Sequence, residues 1–108
     1  MSYDPLDLKG QAAAREKQAL RDKLARETEA ADTKWLMSSQ RGRRIVWRLL
    51  SRAGVFRSSF NTNAMQMAFA EGNRNYGLGM LDAIQRLVPE QYPVMLAENA
   101  PKEEAHDD

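Results

Sequence analysis

Three observations predict an all-α fold for this sequence. A long stretch of strong helix formers opens the chain, apolar residues later recur every three or four positions, and capping residues stand where those periods start and stop. No alternating strand pattern and no internal repeat interrupts them. The expected architecture is a small helical module over residues 32–98, built from two main helices and a short C-terminal one. A charged helical arm over residues 1–31 precedes it, and an acidic tail over residues 99–108 follows.

The arm comes first. From Lys9 to about Ala31 the chain is rich in Ala, Gln, Glu, Lys and Arg, and between Gln11 and Ala31 it holds neither Gly nor Pro. Asp22–Arg26 and Lys23–Glu27 are spaced for i,i+4 pairing. Leu20 and Leu24 are the large apolar side chains of a thin stripe, too narrow to dock tightly on its own domain. This predicts a long solvated helix that needs a partner, with Leu20 and Leu24 as candidate contacts; a merely floppy charged arm is the plainer reading.

Asp32 or Thr33 is then suited to cap a short turn carrying Trp35, Leu36 and Met37, and Ser38 or Ser39 to cap a helix from about Gln40 to Ala53. Gly54 follows where a left-handed residue is wanted, with Val55 behind it. At 100° per residue, Ile45, Val46, Leu49, Leu50 and Ala53 share one arc, and Arg41, Arg44, Arg48 and Arg52 share another.

Val55 to Phe60 forms a connector with two phenylalanines, after which Asn61, Thr62 or Asn63 caps the next helix. In it Met65, Phe69, Gly72, Tyr76, Met80, Ala83 and Leu87 give the clearest helical period in the chain. Gly77 and Gly79 cost that helix about 1 kcal/mol each relative to Ala, so a close approach by another helix is the expected compensation. The expected core joins Trp47, Leu49, Leu50, Phe69 and Tyr76. Pro89 disfavours helical geometry at Val88 and ends the period. Pro89 or Pro93 then suits the first turn of a short helix carrying Tyr92, Val94, Met95 and Leu96.

Composition limits what such a fold can do. The chain has 108 residues, enough for one domain at most. Of these 43% are hydrophobic, but alanines and six methionines account for much of that share, so the core must be modest. With no cysteine there is no disulfide and no thiolate metal site. No apolar run approaches the roughly 20 residues of a membrane-spanning helix, and the first residues lack the blocks of a signal peptide. The protein is therefore expected to stay in the cytoplasm that makes it, unless packaged into something larger.

The net charge of +1 conceals segregation. Residues 33–70 carry seven basic side chains (Lys34, Arg41, Arg43, Arg44, Arg48, Arg52 and Arg57) and no acidic one, whereas residues 71–108 carry three basic and eight acidic. Near-neutrality overall argues against a generic nucleic-acid coat.

Catalysis needs convergent groups, and few are on offer. The single histidine, His106, lies in the acidic tail, where nothing orients it. Only carboxylates remain as metal ligands, and Glu103, Glu104, Asp107 and Asp108 read as a solvated tail. The glycines from Gly72 to Gly79 fall within a helical period, so they form no phosphate loop. The expectation is that the protein is not an enzyme and takes no cofactor or metal.

Arg41, Arg44, Arg48 and Arg52 are the candidate partner-binding row. Guanidinium forks match phosphates and carboxylates alike, so acidic protein and nucleic acid both fit. The plainer alternative is a solvated face, or pairing with Glu71, Asp82 or Glu90. Trp35 and Trp47 flank this basic segment and read first as core anchors, then as interface anchors. Glu71 to Asn75 reads as a polar network between helices, with Glu71 or Asn75 meeting Arg44 or Arg48.

Five strings carry a resemblance: Asp32-Thr33-Lys34-Trp35-Leu36-Met37-Ser38, Gly42-Arg43-Arg44, Trp47-Arg48-Leu49-Leu50, Ala53-Gly54-Val55-Phe56-Arg57-Ser58-Ser59-Phe60, and Phe69-Ala70-Glu71-Gly72-Asn73-Arg74-Asn75-Tyr76-Gly77. Together they resemble a family of small proteins from the virion-morphogenesis gene clusters of tailed bacteriophages, mostly short-tailed ones. The likeness covers about residues 32–97 and leaves the arm and the tail outside. It implies a phage virion component, assembled in the host bacterial cytoplasm, and it carries over no catalytic residue.

Resemblance and residues together lead to the expectation of a structural or accessory protein of the neck, tail or particle interior. Its partners would be other virion proteins (portal, neck, tail or internal) and copies of itself, with Trp35, Leu20, Leu24 and the arginine row as contacts and DNA secondary. The alternatives are a DNA-binding or packaging factor using Arg41, Arg43, Arg44, Arg48 and Arg52, and an assembly chaperone or scaffold absent from the mature particle.

Overall fold

The fold was described from a computed structural model covering residues 7–101. Most of the expected acidic tail, including His106, lies outside the described residues. Among those residues there are four helices and no strand, so the fold is all-α. The helices are α1 (Leu8–Met37), α2 (Gln40–Ala53), α3 (Ala64–Leu87) and α4 (Gln91–Asn99). None of them is long and apolar enough to cross a membrane.

The chain divides into two units, Met1–Asp32 and Thr33–Asp108. The first contains most of α1. Asp7 caps it by accepting from the Gly10 amide at 2.9 Å, and Gln18 donates to Asp22 at 2.8 Å one turn further on. Leu8, Leu20 and Leu24 are all exposed. The expected stop after Ala31 is absent, because α1 runs on through Asp32 and Thr33 to Met37. Both residue types are good caps, but nothing between them and Met37 breaks a helix, so the hydrogen-bond ladder continues.

The second unit contains the core. Met37, Val46, Leu50, Val55, Ile84, Val88 and Met95 are buried, with Leu36, Trp47, Ala53, Leu78, Met80, Leu81 and Tyr92 packed around them. α2 is the central element and packs on both α3 and α4. Its ends are set locally. Ser39 accepts from the Gly42 amide at 3.0 Å. Gly54 adopts φ 81°, and the Gly54 and Val55 amides return to Ser51 and Leu50 at 3.1 and 3.2 Å, a Schellman closure. Asn63 caps α3 through the Met65 and Gln66 amides. α3 ends before Pro89, and Pro93 lies in the first turn of α4.

Two glycines let elements approach closely. A Cβ at Gly42 would run into the Leu36 carbonyl, and one at Gly77 would lie 2.6 Å from a Val55 methyl and 2.7 Å from the Ala53 Cβ. Gly77 thus has the compensation expected for it; Gly79 has nothing within 4 Å. The expected core needs the larger correction. Leu50 is fully buried and Trp47 partly so, stacking on Phe56 at 4.6 Å between ring centroids. Leu49, Phe69 and Tyr76 face solvent. α3 has two apolar arcs, and it buries the one through Gly77, Ile84 and Val88 rather than the more regular one through Met65, Phe69 and Tyr76.

Candidate interaction surface

α2 contacts the core through Gly42, Val46 and Leu50, spaced four apart along one side. The opposite side is therefore forced outward, and it carries Arg41, Arg44, Arg48 and Arg52, all exposed. None of the four has an ion-pair partner among the described residues. Glu71 is taken by Arg74 at 3.6 Å and by a hydrogen bond from the Ser59 hydroxyl, and Asp82 by Arg86 at 3.8 Å. The expected pairing of Glu71 or Asn75 with Arg44 or Arg48 is thus replaced by one within α3 and its connector.

Arg43 departs from the set proposed for phosphate contact. It points inward, where its Nε donates to Glu98 Oε1 at 2.6 Å and its Nη2 to Glu98 Oε2 at 3.0 Å. Nη1 donates to the Met37 carbonyl at 2.9 Å and to Gln91 Oε1 at 3.3 Å. One guanidinium thereby ties the end of α1 and both ends of α4 to α2, with the two side chains only 12% and 20% exposed. The hydrogen bond from Arg43 holds the Glu98 carboxyl below its ordinary pKa; burial opposes this, and the charges of Arg43 and Arg44 reinforce it. The same bond raises the Arg43 pKa against desolvation.

The outward side of α2 is not purely cationic. Ile45 and Leu49, expected inside, lie along one edge of the arginine row and are 38% and 45% exposed. Trp35 at the end of α1 is 77% exposed, so it anchors no core. With Leu36, Ser38, Ser39, Arg41, Gly42 and Ile45 it lines a groove at the start of the arginine row. Of the expected contacts, the structure brings Trp35, Arg41, Arg44, Arg48 and Arg52 to one region of the second unit. Leu20 and Leu24 are exposed on the first unit. Helical spacing did mark Ile45 and Leu49 as apolar, but it could not mark them as open. Among the described residues no group of three or more His, Asp or Glu side chains is placed to hold a metal.

The exposed surface of this small helical module thus includes a face on α2 that mixes arginines with apolar side chains. Residues 33–97 match the family of Bbp19-like phage proteins, and the chain belongs to that family. No curated protein and no solved structure shows significant similarity to it.

Proposed function

We propose that this phage protein is a structural or accessory component of the virion, that it acts through protein–protein assembly, and that it is not an enzyme. The observation that carries the reading is the outward face of α2, where four arginines with no ion-pair partner among the described residues are flanked by exposed Ile45 and Leu49 beside Trp35. Phosphate backbones reward charge but give Ile, Leu and Trp nothing to cover. An acidic protein surface with apolar side chains satisfies both, and Trp and Arg are the residues most enriched at binding hot spots. On this reading the face meets a neck, tail, portal or internal protein in a particle assembled in the bacterial cytoplasm.

DNA contact is the second reading, favoured by the same lack of ion pairs among the described residues. The row from Arg41 to Arg52 extends about 16 Å, enough for a few phosphates and hence for weak, salt-sensitive binding.

The test is mass spectrometry of purified particles carrying the wild-type chain or the Arg44→Glu/Arg48→Glu double variant. The wild type should be present and the double variant lost, with its helix content unchanged. Presence in assembling but not mature particles would instead make the protein a scaffold. Tight sequence-specific duplex binding at physiological salt would replace the protein partner with DNA.

A further inference from the structure

The apolar period on α3 that the core leaves unused is unexplained by the α2 face. Met65, Phe69 and Tyr76 are 84%, 74% and 79% exposed. Gly72 and Gly79 share their arc and have open space above them, with nothing within 4 Å of a Cβ at either position. A lone exposed apolar residue needs no explanation, but three large ones in register on one rigid helix do.

The order of sizes along this arc is informative. Positions 65, 69, 72, 76, 79 and 83 alternate spacings of four and three, the seam period of a coiled coil. Their residues run Met, Phe, Gly, Tyr, Gly, Ala. Laid antiparallel on a copy of itself about a two-fold axis at position 74, the seam sets Phe69 over Gly79, Tyr76 over Gly72 and Met65 over Ala83. Every large side chain then faces a small one. Between Met65 and Ala83 no charged residue lies on the arc, since Glu71, Arg74 and Asp82 project from other sides of the helix; Arg86, the next position of the period, lies beyond the end of the overlap. A helix with such a seam is complementary to itself, as an isologous interface requires.

We propose that this face of α3 is a homodimer interface in which two α3 helices pack antiparallel, with Phe69 and Tyr76 of each copy filling the notches at Gly79 and Gly72 of the other. The seam from Met65 to Ala83 is about 27 Å long. Phe69, Tyr76 and Met65 from both copies bring together roughly 900 Å², taking aromatic side chains at about 150–250 Å² each and three-quarters exposed. The flanking, exposed Asn73 adds to this, and a total of about 1,000 Å² lies below the ~1,200 Å² at which stable specific interfaces begin. Such an area fits a dimer of micromolar rather than nanomolar strength, one that a particle holding many copies would strengthen. This inference does not depend on what the arginine row binds.

The test is sedimentation equilibrium of the full chain across the micromolar range, with circular dichroism on each variant. The wild type should dimerise. Phe69→Ser and Tyr76→Ser should each weaken association at least tenfold while leaving helix content and melting of the monomer unchanged, because both side chains are already exposed. Gly79→Phe alone should also dissociate the dimer, since two rings then meet in one layer. The double exchange Phe69→Ala/Gly79→Phe restores one large and one small residue per layer and should restore association. A wild type that stays monomeric would overturn the proposal, as would serine variants that still dimerise. Serine variants that unfold would place these side chains in the fold's own core and overturn it equally. A double exchange no better than Gly79→Phe would refute the register.

Discussion

Two substitutions to alanine in the same helix should move stability in opposite directions. At Gly77 and Gly79 alike, alanine recovers about 1 kcal/mol of helix propensity. What differs is the space. A Cβ at Gly77 lies 2.6 Å from Val55 Cγ2 and 2.7 Å from the Ala53 Cβ, roughly 1 Å inside the ~3.5–4.0 Å optimum for carbon contacts. The Val55 methyl can rotate away. The Ala53 Cβ cannot, because it is fixed to the last residue of α2, so the helices themselves must separate. Overpacking of this kind costs about 1–3 kcal/mol, and the rigid partner places it toward the upper end. Gly77→Ala should therefore lose about 1–2 kcal/mol net, and Gly79→Ala, with nothing to meet, should gain about 0.5–1 kcal/mol. Urea unfolding followed by circular dichroism reads both, at protein concentrations low enough to keep the chain monomeric. Equal effects at the two sites, or a more stable Gly77→Ala, would refute the close approach of α3 to the end of α2.

Leu50→Ala should cost about 2–5 kcal/mol, whereas Leu49→Ala, at a half-exposed neighbour, should cost well under half as much; urea midpoints compare them. Because Arg43 lowers the Glu98 pKa on folding, that carboxylate stabilises the fold above its unfolded pKa, and the contribution is lost as pH falls through the folded value. Glu98→Gln should accordingly lower stability at neutral pH and flatten its acid limb in pH-dependent melting. Deleting residues 1–30 should leave melting of the second unit nearly intact while abolishing incorporation into particles, and Leu20 and Leu24 should exchange amide hydrogens readily in the free chain.

What the sequence revealed about this fold follows the range of the forces involved. Ser39, Gly54, Asn63 and Pro89 act on neighbours within a few residues, and each bounds a helix as its type demands. Period identified α3 as a helix, but two arcs of that helix are apolar. Regularity favoured the arc through Phe69 and Tyr76, while the one that packs is the arc whose Gly77 admits Ala53 and Val55, a steric fact that no period contains. The arginine row was legible because α2 has a single strongly apolar side. Arg43 was not separable from its neighbours, since Glu98 lies 55 residues away and carries no local mark. Trp35 was misjudged as a core anchor because size and hydrophobicity say what a residue could bury, not whether the chain turns it inward.

The grip of Arg43 also sets an order of events as the chain is made. The Met37 carbonyl is six residues behind it and Glu98 fifty-five ahead. At ~5–20 residues per second, roughly 3–10 s of translation separate Arg43 from Glu98. A helix relaxes in about a microsecond, so α2 and α3 can form and begin to pack before α4 has followed. Throughout that interval the place that Met95 will fill lies open, and of the three partners of the Arg43 side chain only the Met37 carbonyl is present. The apolar core of the nascent protein is least covered, and most open to aggregation, in the interval before α4 closes it.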